Sequence, residues 1–204
     1  MVVIILQVLG GLAFSAGTLV LGLWLRRHPT REGAERSSRI SHTLYWVALV
    51  LPGFAGVLYP GLTHFDEILG IPSLPLRPVA QVLGALAILA GLYLSFAAQV
   101  PLRRQGDGAN AFTLTKRVVT GDIYARTRNP MSLGYYLLCV GLGLIAGSTY
   151  ITLGSLLGVV PVHLFNLLYF EEYELALRLG KPYLEYRERV PFLFPRLGSA
   201  SSVE

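Results

Sequence analysis

The chain has 204 residues, 53% of them apolar and only 14% charged, with a mean hydropathy of +0.54; a water-soluble domain does not carry that balance. A net charge of +5 and a pI near 9.5 would suit nucleic acid, but the basic residues sit in short segments between apolar runs rather than along one face, which excludes it as a partner. The single cysteine, Cys139, excludes an internal disulfide, and no Cys or His spacing suits a metal ion.

The first apolar run, residues 2–25, is uncharged and long enough to cross roughly 30 Å of hydrocarbon at about 1.5 Å per residue. Ala13-Phe14-Ser15 imitates a signal-peptide cleavage site. However, no lysine or arginine precedes the run and Arg26 and Arg27 follow it, the reverse of secretory charge order, so the run reads as a retained anchor. The second run, residues 43–63, contains Pro52 and Pro60, which predict a kink or local break. The third, residues 78–100, holds Ala87 and Gly91 four apart, a small face suited to close helix packing. Residues 129–170 carry no formal charge; as one straight helix they would extend roughly 63 Å, twice the hydrocarbon thickness, and must fold back. The bend is expected at Gly147-Ser148-Thr149-Tyr150. The expected fold is therefore an all-α integral membrane protein of about five transmembrane helices. Helices four and five, of similar length, form a tight antiparallel hairpin. Residues 1–102 make a three-helix membrane region, 103–204 hold the loop, hairpin and tail, and the whole forms one domain.

Arginine and lysine set the orientation. The first loop carries Arg26, Arg27, Arg31, Arg36 and Arg39, whereas the second has Asp66 and Glu67 and no basic residue before Arg77. The third carries Arg103, Arg104, Lys116, Arg117, Arg126 and Arg128, and the tail adds Arg178, Lys181, Arg187, Arg189 and Arg196. That pattern predicts an outside N-terminus, a cytoplasmic C-terminus and an odd number of spans. The terminal "GSASSVE" reads as disordered.

A hairpin brings the entry of helix four level with the exit of helix five, so Arg128 and Asn129 should approach Glu171 and Glu172. Asn129-Pro130 suits an N-cap followed by a first-turn proline, and Arg126 and Arg128 also suit interfacial anchoring. Adjacent carboxylates at the end of an apolar span require partners. The last helix should continue through "EEYELALRL" to Gly180, with Glu174 and Arg178 as an exposed i,i+4 pair. At 100° per residue Glu171 shares a face with His163 and Leu167, and Glu172 points about 100° further round. Ser132, Tyr136, Cys139, Gly143 and Gly147 form a narrow stripe for packing against helix five. His163 and Asn166 within helix five read equally as interhelical hydrogen-bonding groups or as functional polar residues.

The order "TGDIYARTRNPMSLG", then an apolar hairpin, then "EEYELALRLGKPYLEYRERVPFLFPR" resembles the isoprenylcysteine carboxyl methyltransferase family, with looser similarity to the related phosphatidylethanolamine methyltransferases. The resemblance covers residues 114–196. Asp122, Asn129 and Ser132 stand where the family usually has proline, histidine and tyrosine. It implies an S-adenosylmethionine-dependent membrane methyltransferase without a Rossmann domain, its cofactor site built by the third loop, the hairpin mouth and the tail. Cofactor contacts would come from Tyr124, Arg128, Asn129, Pro130, Met131, Gly134, Glu171, Glu172, Tyr183 and Tyr186, and catalysis from Arg128, Glu171 and Arg189. The implied acceptor is lipophilic and reached from the bilayer: an isoprenylcysteine carboxylate, a lipid amine or a small thiol. Two other readings stand beside it, a nicotinamide-dependent membrane reductase of the steroid and sterol type and a scaffold without catalysis. The oligomeric state stays open.

Overall fold

The computed structural model describes residues 1–106 and 114–195; Arg196 and the terminal "GSASSVE" lie outside them. Among the described residues the regular structure is entirely helical. Seven helices follow in order: α1 (Val2–Arg27), α2 (Arg31–Leu58), α3 (Phe65–Leu69), α4 (Arg77–Gln105), α5 (Pro130–Ala146), α6 (Thr149–Leu179) and α7 (Lys181–Arg189). Helices α1, α2, α4 and α6 are long and apolar enough to cross a membrane, and α5, at 17 residues, measures about 25 Å.

Glycine pairing fixes the closest approach in the bundle. A Cβ on Gly84 or Gly91 of α4 would lie 2.8 or 2.7 Å from the carbonyl oxygen of Gly141 or Gly134 on α5. Only hydrogen at those Cα atoms lets the two backbones touch. The face uses Gly84 and Gly91, seven apart, rather than Ala87, which is half-buried.

The turn between α5 and α6 lies at the anticipated bend. Gly147 takes the left-handed conformation, φ +67°, which ends α5, and the Ser148 hydroxyl accepts from the Ile151 amide to cap α6. Asp66 of α3, buried, accepts from the Ser148 hydroxyl (3.0 Å) and from the Thr149 and Tyr150 amides (both 2.8 Å). A carboxylate on the free N–H groups of a helix start satisfies donors that hydrocarbon cannot. On α6 itself, Asn166 Oδ1 accepts from Thr18 of α1 and Ser41 of α2, both at 3.0 Å, tying three helices together inside the bundle.

Three expectations are corrected. Arg31, Arg36 and Arg39 do not lie in a loop: Thr30 caps Gly33 and α2 begins at Arg31, its small residues Gly33, Ala34, Ser37 and Ser41 turned inward. That helix passes through a π turn at Tyr45–Val50 before Pro52 and ends before Pro60. The hairpin arms are unequal, 17 against 31 residues, because α6 runs on past the apolar segment to Leu179, with Gly180 following at φ +66°. Glu174 and Arg178 are not exposed: they pair at 2.5 Å with side chains 1% and 6% accessible, and Arg178 Nη1 also donates to the Thr115 carbonyl.

Candidate functional site

The RTRNP stretch is laced to the segment after α7. The Thr127 hydroxyl donates to the Leu193 carbonyl (2.7 Å), the Arg128 amide to the Pro191 carbonyl (2.9 Å) and Asn129 Nδ2 to the Phe192 carbonyl (3.0 Å). Asn129 therefore occupies the N-cap position of α5 without capping it through its side chain; Pro130 at the first position removes one of the donors that would need a cap. Arg128 spreads its fork over three partners: Nη1 donates to the Arg187 and Val190 carbonyls (2.5 and 3.1 Å), and Nη2 pairs with Glu172 at 2.8 Å. The pair is 11% and 15% exposed. Tyr183 completes it by donating to Glu172 Oε1 at 3.1 Å. One layer behind, the Tyr186 hydroxyl donates to the Tyr124 carbonyl at 2.8 Å.

Burial pushes the Tyr183 phenol above its ordinary value, and the Glu172 carboxylate adds to the shift. Burial likewise raises Tyr186 and Tyr124. All three stay protonated as donors at physiological pH. The helical turn Asp122–Ala125 that presents Tyr124 starts with Asp122 at φ +54°. Proline cannot adopt that angle, whereas aspartate visits it, so the substitution at this position goes with a different local backbone.

These groups border a cavity of about 450 Å³. Its basic end is lined by Tyr124, Arg128, Asn129, Glu172, Tyr183 and Tyr186, and its inner end by His42, Tyr45, Trp46, Tyr135, His163 and Asn166. Glu171 also faces it; among the described residues no hydrogen bond or close ion pair reaches that carboxylate, and the attraction it feels comes from the Arg178 guanidinium, itself paired with Glu174. Glu171 ends a π turn, Leu167–Glu171, and Glu172 begins the α-helical stretch after it; the wider turn re-aims the side chains that follow.

Of the residues singled out in the sequence, Tyr124, Arg128, Asn129, Pro130, Met131, Glu171, Glu172, Tyr183 and Tyr186 line this one cavity. Two are placed elsewhere. Gly134 lies in the α4–α5 seam against Ser95 and Gly91, and Arg189 is exposed, its Nε donating to the Glu185 carbonyl at 3.2 Å. The stripe on α5 divides: Gly143 packs on Thr152 of α6, Tyr136 bonds His163, and Ser132 faces the cavity. Sequence reasoning missed the contribution of α2, whose Ser38, Ser41, His42, Tyr45 and Trp46 form one wall. The available signal was a polar and aromatic face recurring every three or four residues. It also missed Tyr135, and the Glu174–Arg178 pair that closes the cavity near Thr115.

A buried ion pair, a carboxylate without a hydrogen bond among the described residues and an aromatic wall around one cavity between apolar helices provide for a cationic or zwitterionic guest held beside hydrocarbon. Neither a curated protein nor a solved structure matches the chain. The family model described as phospholipid methyltransferase matches residues 79–181, from the first turn of α4 through the loop and hairpin to the start of α7. Because that match covers just over half of the sequence and contains most of the cavity wall, the chain belongs to the phospholipid methyltransferase family and is a membrane methyltransferase.

Proposed function

We propose that the protein transfers a methyl group from S-adenosylmethionine to the amine of a lipid that enters from the bilayer, with the basic end of the bundle facing the cytosol. The observation that carries this reading is Glu171, a carboxylate without a hydrogen bond or close ion pair among the described residues, facing a largely apolar cavity. The cavity, about 450 Å³, lies within the usual range for small-molecule sites, roughly 300–1,000 Å³. The residues present suit the cofactor: Glu171 for positive charge, Asn129 and the Tyr183 hydroxyl for polar groups, Pro130, Met131 and Tyr124 for the flat or apolar parts, and Arg128 Nε, buried without a partner among the described residues, as a remaining donor. Both terminal nitrogens of Arg128 are occupied by the tail and Glu172, so its main role is to hold the site together.

When bound, S-adenosylmethionine supplies an electrophilic methyl group on a sulfonium. Glu171 then offsets positive charge in the cavity, while the Arg128–Glu172 pair is internally neutral. Helices α5 and α6 fix the angle at which an acceptor meets that methyl, and alignment at about 3–3.5 Å is the main contribution such a site can make. Exclusion of water by Leu167, Phe170 and Leu175 favours a step in which charge is spread as the new bond forms.

The same Glu171 selects among acceptors. A second carboxylate at the inner end of the cavity, about 12 Å along α6 from an ionised Glu171, would at an effective dielectric of about 20 be repelled by about 1.4 kcal/mol, roughly tenfold in affinity. An ammonium is attracted instead, which favours a lipid amine over an isoprenylcysteine carboxylate. The test is purified protein in nanodiscs given methyl-labelled S-adenosylmethionine with either phosphatidylethanolamine or a farnesylcysteine. We expect label in the amine lipid and thermal stabilisation by the cofactor's demethylated product; label in the farnesylcysteine alone, or no stabilisation, refutes the reading.

A further inference from the structure

His163 lies near the middle of α6, fourteen residues from Thr149 and sixteen from Leu179, where a polar ring is costly unless it has a use. It is 8% exposed, and what it meets is the inner end of the cavity. Its Nδ1 is 2.9 Å from the Tyr136 hydroxyl. Three tyrosine rings surround the imidazole, with centroids at 5.0 Å (Tyr45), 5.9 Å (Tyr135) and 5.6 Å (Tyr136). The neighbouring Asn166 Oδ1 already accepts from Thr18 and Ser41, so the polar tie between these helices does not need His163. Eight residues separate it from Glu171, about 12 Å along the helix. The ionisable groups facing this end are Tyr45 and His42 from α2, Tyr135, Tyr136 and Cys139 from α5, and Glu171 further along α6; α1 reaches the region through Thr18 and Phe14, neither of them titratable.

An amine acceptor arrives as an ammonium and has no lone pair until a proton leaves. We propose that His163 is the catalytic residue that takes this proton, with Tyr136 as a positioning residue that holds the ring by its other nitrogen. This rests on the amine reading above. With Nδ1–H donating to the Tyr136 oxygen, the Nε2 lone pair is left for the acceptor. The step balances: the ammonium N–H bond breaks, its proton goes to Nε2 and its electron pair stays on nitrogen. That pair forms the N–CH3 bond as the methyl–sulfur bond breaks, and the departing pair remains on sulfur, which ends as a neutral thioether. The imidazolium returns its proton to water through the basic end of the cavity before the next turnover. Glu171 holds positive charge nearer the mouth, and His163 receives the proton at the inner end where the lipid head arrives.

The protein in phosphatidylcholine nanodiscs is compared with His163→Gln and Tyr136→Phe. His163→Gln should lower methyl transfer to phosphatidylethanolamine by about 10²–10⁴-fold, the usual worth of a positioned base, abolish the acid limb of the kcat/KM pH profile and leave stabilisation by the demethylated cofactor unchanged. Tyr136→Phe should lose about tenfold and displace that limb without removing it. A readout independent of turnover is the ring-13C resonance of His163, identified as the one of four histidine signals missing from His163→Gln. Adding phosphatidylethanolamine together with the demethylated cofactor should shift it as Nε2 accepts the ammonium N–H, the ring staying neutral until the methyl is transferred. Wild-type turnover in His163→Gln, an unaltered acid limb in both variants, or a His163 resonance that ignores the amine lipid overturns the proposal. Should His163→Gln not fold, the Tyr136→Phe profile and the wild-type resonance decide it. Loss of cofactor stabilisation in the wild-type protein instead refutes the methyltransfer reading, so the two failures are distinct.

Discussion

Replacing Arg128 by alanine should release the C-terminal segment while the membrane bundle stays folded. The guanidinium removed is 11% exposed and paired with Glu172 at 2.8 Å, and stripping one partner from a buried pair costs about 3–5 kcal/mol. The Arg187 and Val190 carbonyls lose their donor too, but these bonds form one network and single-bond values do not add. Tyr183 still donates to Glu172, which softens the loss. A total of about 4 kcal/mol, at 1.4 kcal/mol per decade, raises the undocked population roughly a thousandfold. The reporter is the backbone amide at position 128, which donates to the Pro191 carbonyl: its hydrogen exchange in nanodiscs should accelerate by about three decades, up to the limit set by exchange of the free amide. Arg128→Lys keeps a charge opposite Glu172 but lacks the planar fork that serves several acceptors, and should fall between the two. Cofactor affinity should fall in the same order, because Glu172, Tyr183 and Tyr186 share the cavity wall. Exchange within threefold of the wild type in Arg128→Ala would refute the keystone role.

Asp66→Asn keeps the shape of the cap on α6 but turns an amide donor or a neutral oxygen toward the Thr149 and Tyr150 N–H groups, and should cost about 2 kcal/mol in reversible unfolding from mixed micelles. Gly91→Ile must push α4 off Gly134, whose carbonyl lies 2.7 Å from the new Cβ; we expect at least about 2 kcal/mol of destabilisation, measured the same way, against a near-neutral Gly11→Ile, where nothing lies within 4 Å. Tyr183, raised in the folded protein by burial and by Glu172, gives a pH dependence of fixed sign. Its contribution is complete below the ordinary phenol value, about pH 10, and is lost as pH rises through the higher folded value. The fall in thermal stability between pH 9 and 11 should therefore be shallower in Tyr183→Phe, and an identical slope would remove the tyrosine from the account.

The parts of this fold written in short windows were legible, and those written in pairs of distant windows were not. Gly147-Ser148 marked the hairpin turn because a left-handed glycine and a serine cap act within four residues. Gly180 likewise marked the end of α6. Placing Arg31, Arg36 and Arg39 in a loop failed because the charges there resemble a hydrophilic connection, while the reason the stretch is helical, a small face against α1 and α6, is visible only once those helices are in place. Glu174 and Arg178 looked like a solvated i,i+4 pair by spacing alone; Thr115, some sixty residues earlier, and α2 cover them. The site divides the same way. Loop arginine and helix-end carboxylates were expected together from hairpin geometry, and Arg128 meets Glu172. That Asn129 would spend its amide on Phe192 instead of capping α5 follows from the tail's path. So does the exposure of Arg189, one turn past the Tyr183 and Tyr186 face of α7. A tail held by main-chain carbonyls leaves little mark on its own side chains, so its partner had to be sought in the fork of Arg128, which has enough donors to bind two carbonyls and a carboxylate at once.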